Sequence, residues 1–138
     1  MKISAHIENS RGQHRVTLTT NENSHSIAIP PKPTGIGSSA NGGELLFLAL
    51  ATCYSNDIYR EAAKRDIRVE QVEVEVSGDF GTEGEPAKNV SYRARVYAHG
   101  PESDIRALLE HTDTVAEIQN TLRVGTVVTL DEVETVVI

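Results

Sequence analysis

Apolar residues recur at every second position near the start of the chain, the pattern of strands with one buried face. Ile3, Ala5 and Ile7 alternate with polar neighbours in KISAHIE, and Val16 and Leu18 share one face of HRVTLTT. Ser-Arg-Gly-Gln between them is a turn, so a hairpin is expected. HSIAI, from His25 to Ile29, supplies a third short strand with Ile27 and Ile29 on one side. Regularity then stops. PPKPTGIGSSANGG holds three prolines and four glycines in fourteen residues, a density that neither a helix nor a ladder tolerates.

From Gly43 the period becomes helical. Asn41 or a nearby serine can cap a helix there, and Glu44 puts negative charge in its first turn. Leu45 to Cys53 is apolar almost all round, which asks for burial on every side. After Ser55 the pattern turns amphipathic, with Ile58, Ala62 and Ala63 set against Asp57, Arg60, Glu61, Lys64 and Arg65. One helix of about twenty residues is predicted. VEVEV (Val72 to Val76) and VSYRARVYA (Val90 to Ala98) alternate cleanly, with Val90, Tyr92, Ala94 and Val96 on one face. The turn-rich GDFGTEGEPAKN makes them an antiparallel hairpin with a long loop. Pro101 suits a first helical position. Ile105, Leu108 and Leu109, then Val115, Ile118 and Leu122, have helical spacing, with Thr112 or Asp113 as the expected cap of the second helix. GTVVTL and VETVVI read as closing strands. Hairpins separated by helices indicate an α+β fold, in one domain over residues 1–138. A single sheet and two short helices leave the apolar helix under-covered, so a second subunit is expected to complete its burial.

Composition narrows the function. With 138 residues, 38% hydrophobic and 24% charged, the chain is of ordinary globular type. A formal charge of −7 and 4% aromatic residues without Trp argue against nucleic acid or a membrane surface as partner. No N-terminal stretch reads as a signal peptide, and Leu45 to Cys53 is about half a membrane span. One cysteine, which rules out a disulfide within the chain, fits a reducing compartment, and a cytoplasmic location is expected. The five histidines are scattered with no HxxxH or HExxH spacing, and there is no phosphate-binding glycine loop and no GxSxG elbow. No metal and no cofactor is expected. Cys53 remains, with two readings open: a small apolar filler with an inert thiol, or a nucleophile. Asp57, one turn on, disfavours a thiolate if it shares the same face.

The segment NGGELLFLALATCYSND resembles one written roughly N-P-E-E-L-L-x-A-A-L-A-x-C in the OsmC/Ohr superfamily, which includes the organic hydroperoxide resistance proteins. The resemblance continues through the VEVEV and VSYRARVYA hairpin and through DTVAEIQNTLR, which is similar to the family's V-C-x-x-S-N-S-I-R helix. It implies an intertwined homodimer, with two long helices packed centrally and sheets wrapped around them. It also implies a chemistry for catalytic members. One cysteine attacks a peroxide oxygen and becomes a sulfenic acid, and a second captures it as a disulfide. An Arg and a Glu assist, and a dithiol regenerates the enzyme. Cys53 matches the peroxide-attacking cysteine. Ala116 stands where the resolving cysteine belongs, and Gly43 where the Glu belongs. Glu44 is one residue out of phase, about 100° around the helix. Arg11 is the best match for the Arg and Arg15 the next. Two functions therefore stay open. Cys53 reduces small organic hydroperoxides and is resolved by an external thiol or dithiol, or the homodimer binds a small apolar ligand in an interface pocket without turnover. A cysteine hydrolase with His25 or His111 as base has no local signature behind it.

Overall fold

The computed structural model describes all 138 residues, in the order β1 (Ile3–Ser10), β2 (Gln13–Thr20), β3 (Asn23–Ile27), α1 (Gly42–Lys64), β4 (Val69–Asp79), β5 (Lys88–Ala98), α2 (Glu102–Thr114) and α3 (Glu117–Val124). The α+β reading holds, with antiparallel sheets only. The chain divides into two compact units, Met1–Leu46 and Phe47–Ile138.

In the first unit β1, β2 and β3 form an antiparallel meander. Ile7 stands opposite Val16, and Val16 opposite Ile27, so the alternating apolar residues share one face. Val16 is buried on it, whereas Ile3 and Ile7 are exposed. The Arg11-Gly12 turn needs a left-handed residue, which Gly12 supplies at φ 73°. β3 begins and ends two residues earlier than HSIAI. Asn21, at φ 54°, makes the second turn tight enough to start pairing at Asn23. The helix start is fixed reciprocally: the Asn41 side chain accepts the Glu44 N–H at 2.8 Å, and the Glu44 carboxylate accepts the Asn41 N–H at 2.9 Å.

The second unit holds the core. Burial along α1 follows the stripe Leu50, Tyr54, Ile58 and Ala62, with Asp57 and Glu61 beside it. Within this one chain Leu45 to Cys53 is not enclosed on every side: Leu48 is 58% exposed. One chain offers too few neighbours to surround that part of the helix. Val72, Val74, Tyr92, Ala94 and Val96 project from the inner face of the β4–β5 hairpin onto Tyr54, Ile58 and Ala116. Val90, at the end of this row, is exposed. Glu75 pairs with Arg93, and Glu73 with Arg95, across the outer face; such exposed pairs each contribute less than about 1 kcal/mol. Tyr54 meets Tyr92 edge to face, ring centroids 4.8 Å apart, and its hydroxyl donates to the Leu109 carbonyl of α2 at 2.8 Å. Gly78 is required by packing, because a Cβ there would lie 2.8 Å from the Phe47 ring and 3.0 Å from Val90.

Pro101 precedes α2 as an extended residue at ψ 140° instead of opening its first turn. α2 continues to Thr114, so Thr112 and Asp113 do not cap the next helix. Thr112 is fully buried and its hydroxyl donates back to the Leu108 carbonyl at 2.7 Å. The chain enters α3 through Ala116, in extended conformation and with no side-chain cap, and leaves it through left-handed Gly125 at φ 66°. GTVVTL and VETVVI, expected as strands, join no ladder. Val127, Val128, Leu130, Val136 and Val137 are exposed, and no strand of this chain lies alongside to accept their hydrogen bonds. No helix is long and apolar enough to cross a membrane.

Candidate functional site

Cys53 lies where α1 meets the start of α3. It packs against the cluster formed by Tyr54, Ile58 and Ala116, yet its thiol is neither fully buried nor in apolar surroundings. Sγ is 3.6 Å from Asp57 Oδ2 and 3.7 Å from Glu117 Oε2, and the Ile118 backbone N–H is directed at it. Asp57 is one turn on along α1, so the two side chains face the same way. Glu117 reaches the sulfur because Ala116, small and wholly buried, lets α3 begin against α1. Arg60, a further turn along, binds Asp57 Oδ1 at 2.9 Å and Glu117 Oε1 at 3.2 Å.

Burial raises the Cys53 pKa most, and the negative charge of Asp57 and Glu117 raises it further against the opposing pull of the Ile118 N–H. Burial and then the hydrogen bond shared with Glu117 push the Asp57 carboxyl up, while Arg60 opposes them. Glu117 goes the other way. Its own backbone N–H, and then Asp57 and Arg60, hold it below the usual range against its desolvation. Asp57 is thus held above the usual carboxyl range and Glu117 below it. Alkylation of Cys53 by iodoacetamide is expected to follow ionisation with a midpoint above about 8.5, the ordinary thiol value. A midpoint below that value would mean that a further cation reaches the sulfur.

The donor atoms of Cys53, Asp57 and Glu117 lie within 4.8 Å of one another, a set able to ligate a cation, and Arg60 supplies positive charge beside two of them. Of the residues proposed from sequence, Cys53 is placed in a polar cluster. Glu44 is engaged in the capping box of α1. Arg11 is exposed in the β1–β2 turn, and Arg15 on β2 pairs with Glu8. His111 is 3.8 Å from Glu61, and the other candidate base, His25, is exposed on β3. Sequence reasoning missed Arg60 and Glu117. The spacing 53, 57, 60 along one helix face was a readable signal for Arg60. Glu117 directly follows the position assigned to the resolving cysteine, which pointed to the same place.

Residues 35–131 match the family model described as OsmC-like protein. The chain belongs to the OsmC-like family. No curated protein matches it in sequence. Among solved structures, this OsmC-like chain is similar to an OsmC-like protein from Mycoplasma pneumoniae, with TM-score 0.61, 17% identity and 87% of each chain covered. It is also similar to an organic hydroperoxide resistance protein OsmC, described as a predicted redox protein, from Legionella pneumophila. There the TM-score is 0.57 and the identity 22%, over 89% of this chain and 90% of the other. A third is an organic hydroperoxide resistance protein from Elizabethkingia anophelis, with TM-score 0.53 and 16% identity over 91% and 90%. At these identities the likeness is one of fold. The OsmC-like fold accounts for the order of elements.

Proposed function

We propose that this OsmC-like protein acts in redox stress protection, as a homodimer whose Cys53 reduces small organic hydroperoxides with an external thiol as reductant. The observation that carries this reading is the setting of Cys53. It is a partly accessible thiol among two carboxyl groups and a backbone N–H, at the start of a helix, and not a filler enclosed by apolar side chains. Sulfur attacks the distal peroxide oxygen, the O–O bond breaks, and a sulfenic acid and an alcohol result. One external thiol converts the sulfenic acid to a mixed disulfide with release of water, and a second restores Cys53 as an external disulfide leaves. Ala116 is why the second thiol must come from outside.

Dimerisation is supported by exposed apolar surface. Ile3, Ile7, Leu48, Phe80 and the valines after Gly125 are among the apolar residues left uncovered. Sedimentation at micromolar concentration is expected to give twice the chain mass.

Stopped-flow mixing with cumene hydroperoxide, with dithiothreitol as reductant, tests the chemistry. Wild type is expected to react faster than free cysteine at the same pH, and Cys53→Ser not at all. Equality with free cysteine would remove the reading. A second reading, ligand binding without turnover, is favoured by the protonated state of the thiol. An open groove of about 570 Å³ between α2 and β5, lined by Tyr54, Tyr92, Ala94 and Leu109 with Arg106 and Asp113 at its rim, also favours it. On that reading Cys53→Ser leaves binding of an apolar fluorescent probe unchanged.

A further inference from the structure

We propose that Asn41 is a self-modifying site: its side-chain amide is lost to attack by the Gly42 backbone nitrogen, and the aspartyl and isoaspartyl products change how α1 begins. Nothing in this chemistry involves Cys53, so it stands apart from the hydroperoxide reading.

Of the seven asparagines, only Asn41 is followed by glycine. Ring closure brings the next residue's backbone nitrogen onto the side-chain carbon, and a Cβ on that residue restricts the approach. Asn9 and Asn23 precede serines, but Ser10 and Ser24 are held in the β1–β2 and β2–β3 ladders. Asn41 and Gly42 are both exposed. Gly42 opens α1, so its N–H is among the first four of the helix, which have no acceptor within it. Asn41 Oδ1 is already turned over the helix start, where it accepts the Glu44 N–H at 2.8 Å. That N–H, at the positive end of the helix, stabilises the charge that collects on Oδ1 as the nitrogen attacks. Packing does not account for the glycine, since a Cβ at position 42 would meet nothing within 4 Å.

The atoms balance. The Gly42 nitrogen bonds to Cγ of Asn41, and the amide nitrogen leaves as ammonia, taking the Gly42 proton with it. Water then opens the five-membered imide at either carbonyl and returns a proton to the Gly42 nitrogen. Opening at the side-chain carbonyl leaves aspartate. Opening at the backbone carbonyl leaves isoaspartate, with the chain running through the former side chain. Either product is ionised at neutral pH and takes the formal net charge of −7 one unit lower. Aspartate still caps, since it ranks with asparagine there, but it sets a second negative charge three residues from Glu44. Isoaspartate loses the backbone carbonyl that accepts the Leu45 N–H at 3.1 Å. The helix altered in this way is the one that carries Cys53.

Peptide mass spectrometry of the folded chain, held for weeks at mildly alkaline pH, tests the site. Asn41 is expected to gain about 1 Da, the exchange of an amide for an acid, while the other six asparagines stay unchanged. A methyltransferase specific for isoaspartate should label part of the converted material. Gly42→Ala is expected to slow the conversion roughly tenfold or more. Asn41→Ser, which keeps a capping oxygen but has no amide to lose, is expected to stop it. Both positions are exposed, so neither variant disturbs the core. No gain at Asn41 in the folded chain would overturn the proposal; conversion only in urea would show that the cap locks the amide. A Gly42→Ala rate equal to wild type would also overturn it, because water would then be attacking the amide directly. Equal gain at the other asparagines would sink it too.

Discussion

Ile58→Ala is expected to lower the unfolding free energy by about 3–4 kcal/mol, read as a shift in denaturation midpoint at unchanged slope. Ile58 has no exposed surface and stands at the centre of the stripe that α1 presents to the β4–β5 hairpin and α3. Its removal forfeits the transfer energy of three carbon groups and leaves a void. The ring pair of Tyr54 and Tyr92 has little freedom to collapse into that void, because the Tyr54 hydroxyl is tied to Leu109 and the Tyr92 hydroxyl to Asp113. Against a total stability of about 5–15 kcal/mol the loss is large. A cost below about 1 kcal/mol would mean that this stripe is not the core.

Ala116→Cys is expected to change the fate of oxidised Cys53. Position 116 has no exposed surface and belongs to the cluster on which Cys53 packs. A thiol there competes for the sulfenic acid at an effective concentration that external thiols do not reach. One equivalent of cumene hydroperoxide should then consume both thiols and lower the mass by about 2 Da, the signature of a disulfide. The wild-type chain instead should leave a sulfenic acid that dimedone traps. Adding sulfur to a filled site costs roughly 1–3 kcal/mol, so the variant is best assayed well below its melting point. Persistent dimedone labelling with one unreacted thiol would show that the two positions do not meet.

Much of the fold was legible because most of its elements have one dry and one wet side. Ile3, Ala5 and Ile7, then Val72, Val74 and Val76, announced strands by alternation, and the Asn41 and Glu44 pair announced the start of α1. The C-terminal strands failed for a physical reason: alternation shows that a segment can pair, and a ladder needs a neighbouring strand. Within α1, the stretch that reads as the oiliest is not the one most covered, since burial depends on what surrounds a helix. Leu48 and Ile58 illustrate the difference, one 58% exposed and the other fully buried. The site was half legible. Cys53 and the influence of Asp57 could be read from one helical turn, but Glu117 comes from 64 residues downstream, and only tertiary packing brings it to the sulfur.

The unpaired segment after Gly125 has a consequence for handling the protein. TVVTL and TVVI are short, uncharged and rich in β-branched residues, the kind of window from which fibrils grow when it is left bare. Asp131, Glu132 and Glu134 lie between them and act as gatekeepers, because stacked copies would bring like charges into register. Exchanging those three carboxylates for amides would remove that safeguard and make clumping of the purified material the dominant hazard.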